Sequence, residues 1–341
     1  MLQFLVKWTI LLSLINQIFI ENTNAMQAEE NFEIKKNSLK TEKLHSGKYF
    51  GKPRDYWWNP DFLQLMGKRW QTQQVKSVLD VGCGVGHWGF LLKDILPKTT
   101  TLTGVDREPE WIKTAQERAQ TENLAHRYTY TVGDVNQLPF EDSSFDMVTC
   151  QTLLIHVSNV KNSVLEMCRV LKPGGILVLI EPNNIGRTLS LSTLDMNTPM
   201  DDILEITRFQ MLCERGKQAL NEGYISIGDQ LPGYLAEMKL EEIQVFISDK
   251  AKTFFPPYDS PEQEAIIQEI QEWSKKNFWI WDESETKRFY LAGGGDASLF
   301  EYYWEKALYR QNQRFLEGIE AHSYATSGGK LTYCISARKS N

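Results

Sequence analysis

The stretch Val78-Leu79-Asp80-Val81-Gly82-Cys83-Gly84-Val85-Gly86 runs an apolar segment straight into a glycine loop, and an amphipathic pattern opens behind it at Trp88. Glycines at alternate positions permit a tight turn and let a ligand approach the backbone, and the start of the helix that follows offers unpaired N–H groups. A small polar ligand is expected there. Outward from this loop, short apolar runs alternate with helical patterns, which is the signature of βα units and a parallel sheet. The pattern predicts strands over 77–81, 101–105, 128–132, 145–150 and 176–180, then two more over 242–248 and 331–337. Helices are predicted over 88–96, 110–121 and 162–171, the last ended by Pro173-Gly174-Gly175. Upstream, residues 49–70 carry Tyr56-Trp57-Trp58-Asn59-Pro60, Phe62, Leu63, Leu65, Met66 and Trp70 at roughly helical spacing, and predict a leading helix.

The 341 residues are 42% hydrophobic and 24% charged, enough to bury a core and unlike a disordered, collagen-like or multi-span chain. A formal charge of -7 argues against nucleic-acid binding by bulk electrostatics. The five cysteines (Cys83, Cys150, Cys168, Cys213, Cys334) form no C-x-x-C pair, so neither a disulfide framework nor a thiolate zinc site is expected, and a reducing compartment fits. Five histidines show no metal-ligand spacing, and no metal is expected. Residues 1–25 hold an apolar run over 8–20, after Lys7 and before Thr23-Asn24-Ala25. They read as a signal-like segment, or as an extension upstream of a true start at Met26, and the run is short for a stable membrane span. Residues 26–47 read as a flexible polar arm. One domain over 48–341 follows, its core being 77–182, 229–248 and 331–338, with helical insertions at 183–228 and 249–330.

Gly84-x-Gly86-x-x-Gly89 satisfies the spacing of a dinucleotide-binding fingerprint. Asp80 weighs against that use. A carboxylate at the strand's end would repel a pyrophosphate, whereas it would attract the ammonium of a zwitterion. The D-x-G-x-G-x-G run from Asp80 to Gly86 resembles the first motif of the class I S-adenosylmethionine-dependent methyltransferases. Later segments follow in that family's order: Leu102-Thr103-Gly104-Val105-Asp106, Gly133-Asp134-Val135, Phe145-Asp146-Met147-Val148, and Arg169 to Gly175 through Glu181-Pro182. The resemblance spans 77 to about 182 and is nearest the small-molecule branch containing quinone and sterol methyltransferases.

The resemblance implies an α/β, Rossmann-like, mostly parallel seven-stranded sheet with helices on both faces, an antiparallel last strand, and a helical cap from the insertions. It implies S-adenosyl-L-methionine held by Asp80, Gly82, Gly84, Gly86, Asp106, Asp134, Val135 and Gln151. Asp106 stands where a carboxylate can accept both ribose hydroxyls. Asp134 would accept from the adenine amino group, and Val135 would offer a backbone N–H. The plainer readings are that Asp106 caps the helix near Pro109, that Asp134 holds a turn, and that Cys83 and Cys150 are small apolar fillers. His87 and Trp88 would face the methionine end, or Trp88 would be core. Residues 151–156 follow the fourth strand, where ligands bind in open α/β sheets. His156 there is a candidate base, with a structural role as its alternative. Tyr56, Trp57 and Trp58 would close the substrate side. The aromatics of 249–330 glue the inserted helices together, a few of them lining a pocket, and Gly293-Gly294-Gly295 is read as a hinge or a simple loop.

The expected activity is methyl transfer to a small or medium-sized organic acceptor, with a small-molecule substrate and no nucleic-acid partner. Its rivals are an NAD(P)-dependent oxidoreductase and a catalytically silent methyltransferase-like binding protein. The methyl donor is made inside cells, so a cytoplasmic location is expected, with export or membrane association as the alternative if residues 1–25 work as a signal peptide.

Overall fold

Strand β1 (Ser77–Val81) is buried from Val78 to Val81 because its side chains alternate between two faces of a sheet that is covered on both sides. The computed structural model describes residues 51–329 and 331–341, so the expectations for residues 1–25 and 26–47 lie outside it. Beside β1 stand β2 (Thr101–Asp106), β3 (Tyr128–Val132), β4 (Phe145–Gln151), β5 (Leu171–Asn183), β6 (Glu241–Ile247) and β7 (Leu331–Arg338). Their spatial order is β3-β2-β1-β4-β5-β7-β6, and β7 runs antiparallel to both of its neighbours. The expected seven-stranded, mostly parallel sheet is therefore present.

On one face Val78, Leu102, Met147 and Val178 meet α1 (Pro60–Arg69), α2 (His87–Leu92) and α3 (Pro109–Thr121). On the other, Leu79, Val148, Leu177 and Leu179 meet Val164 and Met167 of α4 (Val160–Val170). The first insertion adds α5 (Asn184–Thr188) and α6 (Met200–Ala219), after which α7 (Leu231–Glu237) returns to the face of α4 through Leu231 and Leu235. The second adds α8 (Pro261–Lys275), α9 (Glu283–Ala292), α10 (Phe300–Leu308) and α11 (Arg314–Glu320).

Three local expectations are corrected. The leading helix is split into a 3-10 turn, Lys52–Tyr56, and α1, because Pro60 starts a helix better than it continues one. Helix α2 stops at Leu92 rather than 96, where Pro97 disfavours helical backbone at the residue before it and Thr72 Oγ1 donates to the Ile95 carbonyl at 2.6 Å. Pro173-Gly174-Gly175 does not close α4 but lies inside β5, with Gly174 at φ +69° where the β4–β5 register shifts between Phe145 and Met147.

The two insertions share one aromatic cluster. Phe209 of α6 stacks on Trp279 at 5.2 Å and on Tyr303 at 5.6 Å, with Tyr290 and Phe300 tilted against it. Helices α6 and α9 cross at glycines: a Cβ on Gly216 would fall 1.6 Å from the Phe289 carbonyl oxygen, and one on Gly293 would fall 1.9 Å from that of Leu212. Gly295 lies under the Tyr290 ring, its added Cβ 2.3 Å from Cζ. Gly293 and Gly295 are thus tightly packed at the end of α9, while Gly294, at φ +89°, has open space around it, which suits the loop reading of the triplet better than the hinge. Most of the aromatics expected to glue the insertions do so, while Phe255 and Tyr302 are exposed.

Candidate active site

The parallel strands β1, β2 and β4 end together, and the glycine loop hangs across their ends. Gly82 and Cys83 donate to the Val105 carbonyl at 2.8 and 3.1 Å, and Arg118 of α3 donates to the Val85 carbonyl at 3.1 Å. Gly82, Gly84 and Gly86 all sit at positive φ, where a side chain would be strained. Gly89, third in the spacing, lets α2 lie on β2, since its Cβ would meet the Leu102 methyls at 3.2 Å.

Asp80 is 1% exposed, and neither carboxylate oxygen completes a hydrogen bond. Burial pushes its pKa up to about 8; Asp106 repels the charge further, while the Gly89 amide and the Arg54 guanidinium offset only part. Asp106 differs from it. Its Oδ2 accepts from Gly84 N–H at 2.9 Å and its Oδ1 from Glu108 N–H at 3.0 Å, so it does brace the start of α3. Burial still raises its pKa, with those two amides pulling it down. An ionised carboxyl has about four acceptor positions, so about two remain for hydroxyl donors.

Gln151, at the end of β4, is 4% exposed with both amide atoms unpartnered. Asp80, Asp106 and Gln151 are thereby gathered at one end of the sheet. Trp88 is core: it is buried, donates through Nε1 to Thr149 Oγ1 at 3.0 Å, and lies 5.3 Å from the Trp58 ring. Trp58 packs in the same cluster, 7% exposed, with its Nε1 buried and unpartnered. Tyr56 and Trp57 stay half-buried, and the Trp57 ring has the Arg54 guanidinium at 5.0 Å and the Lys252 ammonium at 5.8 Å from its centroid. Asp134 is exposed, and its Oδ1 accepts from the backbone and side chain of Asn136 at 2.7 and 2.9 Å, so it does hold a turn, next to the half-buried Val135. His156 ends a single 3-10 turn, Leu154–His156, whose backbone packs against Gly223.

Cys83 and Cys150 are buried, and burial raises both thiols. Sequence reasoning gave no polar role to Tyr130, whose buried hydroxyl lacks a partner, and none to Glu181, an acid at the end of an apolar strand. The abrupt change from Ile180 to Glu181 was the available signal. His87, also without a partner at Nε2, is pushed down to about 3 by burial, with Arg54 and Arg118 adding to it. The Asp55 carboxylate 4.0 Å from Nδ1 is too exposed to offset this, so the pair is not ionic. Among the described residues, no group of three His, Cys, Asp or Glu side chains is arranged to hold a metal ion, and no helix is long and apolar enough to cross a membrane.

Residues 73–222 match the model of a family described as a methyltransferase domain. Over 127 residues, 36% of its length, the chain is 38% identical to the demethylmenaquinone methyltransferase of Staphylococcus aureus (strain JH9). It spans 48% of that protein, about half the length of the curated relatives it matches. Among solved structures it is similar to the YcgJ protein of Bacillus subtilis, at 20% identity and a TM-score of 0.45, over 82% of this chain and 98% of that one. Another is the phosphoethanolamine N-methyltransferase 2 of Haemonchus contortus, at 18% identity and a TM-score of 0.44, over 82% and 52%.

Proposed function

With a methyltransferase domain over residues 73–222 as the premise, we propose that this protein moves a methyl group from S-adenosylmethionine to a small or medium-sized, partly apolar organic acceptor. The observation that carries the reading is Asp80: a buried carboxyl that only the Gly89 amide and the Arg54 guanidinium favour in its ionised form, beneath a loop whose three glycines sit where side chains would be strained. Such a group is unstable by itself and fits a cationic ammonium. The remaining donors and acceptors suit the same ligand. Asp106 keeps acceptor positions for a ribose, Gln151 brings an unpaired amide, and Asp134 and Val135 stand after β3 for the adenine edge.

When bound, the cofactor supplies a sulfonium whose methyl is intrinsically reactive. The chain's own task is then to orient the acceptor and exclude water. Tyr56 and Trp57 close one side of the crevice, and His156 takes the acceptor's proton where that acceptor is a hydroxyl, amine or acidic carbon. The two insertions form the roof, and Ile155 of the turn after β4 packs against their shared aromatic cluster. An enclosed roof of this kind suits an organic molecule rather than nucleic acid. We place the protein in the cytosol, where the methyl donor is made, and cell fractionation tests that location.

Calorimetry with S-adenosylmethionine and with a nicotinamide dinucleotide decides the cofactor. Binding of the first alone is expected, and binding of the second alone would overturn the reading. Mass spectrometry of metabolites from cells lacking the gene, searching for a species one methyl lighter, identifies the acceptor. Normal methylation in those cells would point to a binding protein without turnover.

A further inference from the structure

Glu181 lies near the end of the buried length of β5 with no solvent exposure, which is a costly place for a carboxyl unless it is needed there. Its Oε1 accepts the backbone N–H groups of Leu153 at 2.9 Å and Leu154 at 2.8 Å. Both amides belong to the turn that follows β4. The first residue of that turn, Thr152, sits at φ 52°, which a β-branched side chain occupies only under strain. Thr152 is tied down twice, its N–H donating to the Ile180 carbonyl at 2.9 Å and its hydroxyl to the Gln151 carbonyl at 2.7 Å.

The strained residue lies between two parts of the crevice. Before it comes Gln151 with its buried, unpartnered amide. After it comes Leu153, whose side chain covers Gly82 so closely that a Cβ there would fall 2.5 Å from Leu153 Cδ1. Glu181 Oε1 also accepts from Cys150 Sγ at 3.7 Å, while its Oε2 is buried without a partner, so the bonds it makes fasten this turn to the end of β5. We propose that Glu181 is a positioning residue: its grip on the Leu153 and Leu154 amides holds the strained Thr152 turn and thereby aims the Gln151 amide at the bound cofactor. A carboxyl suits the task because one of its oxygens can accept both amides whether or not the group is ionised.

This inference rests on the cofactor reading above, and the test separates the two. S-adenosylmethionine affinity is measured by calorimetry on the full chain for the parent, Gln151→Ala, Glu181→Ala and the double variant, with circular dichroism to confirm folding. Each single change is expected to weaken binding about tenfold, the effect of losing one buried hydrogen bond. The double variant should be no more than severalfold worse than either, because both remove the same contact. Glu181→Gln, which keeps an acceptor oxygen, should bind within severalfold of the parent. Should the alanine variant fail to fold, Glu181→Asp withdraws the oxygen by one methylene and takes its place in the cycle. A double variant weakened about a hundredfold, the product of two independent losses, would overturn the inference alone, as would parental affinity in Glu181→Ala. A parent chain that does not bind S-adenosylmethionine would overturn the cofactor reading, and this inference with it.

Discussion

At the strand ends, Asp80, Gln151 and the His87 Nε2 are buried without hydrogen-bond partners, whereas in the first insertion Glu214 accepts from Gln210 at 2.9 Å and from Ser226 at 2.8 Å. Asp195 likewise meets Ser192 and Arg314, and the helices around both interlock through glycines and stacked rings. The crevice also holds Thr152 and three glycines at positive φ. One region is complete as it stands. The other keeps desolvated polar groups that a ligand can satisfy, which is how a binding site differs from a packing unit.

This contrast breaks most visibly at Gly216. A methyl group there collides with the Phe289 backbone, which has no rotamer to move aside. Gly216→Ala should cost about 3 kcal/mol of stability in denaturant unfolding, while the fraction that folds keeps its affinity for S-adenosylmethionine. Asp80→Asn should do the reverse. It is expected to weaken S-adenosylmethionine by about 1 to 3 kcal/mol in calorimetry, with a melting temperature equal to or above that of the parent. Matched losses of stability and affinity in both variants would erase the distinction.

Acidity sharpens it further. Burial raises Asp80 from 3.8 to about 8, and Glu181 and Glu214 from 4.5 to about 7. The folded chain therefore holds protons that the unfolded chain has already released, so these groups stabilise the fold fully below about pH 4, and that stability is lost as pH rises through 7 to 8. The ligand-free melting temperature should fall from about pH 4 and level off above about pH 8, and Asp80→Asn should remove the share that Asp80 loses between those limits, leaving a shallower decline that ends near pH 7. A flat profile for the parent would show that these carboxyls ionise freely. The smallest effect is expected at Asp134, which is exposed: Asp134→Asn should weaken the cofactor only severalfold, less than Asp80→Asn, when both are titrated side by side.

Much of the crevice was legible in the sequence because its parts are local. Val78 to Gly86 puts strand, turn and ligand-binding acid within nine positions, and Ser77–Val81 and Tyr128–Val132 are read to the residue from apolar runs and their borders. Asp106 and Gln151 follow from ending their strands. What escaped depends on partners distant in sequence. Nothing near Gly293 announces that Leu212 of another helix will lie against it, so the triplet reads as a hinge or a simple loop. Glu181 shows no periodicity, and its meaning appears only when β5 is set beside the turn after β4. Pro173-Gly174-Gly175 reads as a turn because a bulge inside a strand uses the same residues. Trp58 and Trp88 show that aromatic density marks a core as readily as a pocket.

The place of β7 between β5 and β6 bears on how the chain is made. Each of β1 to β4 finds its neighbours among strands synthesised early, so the glycine loop and its acids can assemble while the rest is still on the ribosome. The outer edge of β5 must wait. Residues Ile176 to Asn183 pair with β7, the last strand to emerge, and until then a largely apolar edge is open and β6 has no partner. A nascent chain would thus hold its binding crevice before it loses its most aggregation-prone edge, and trimming the final strand would leave that edge open for good.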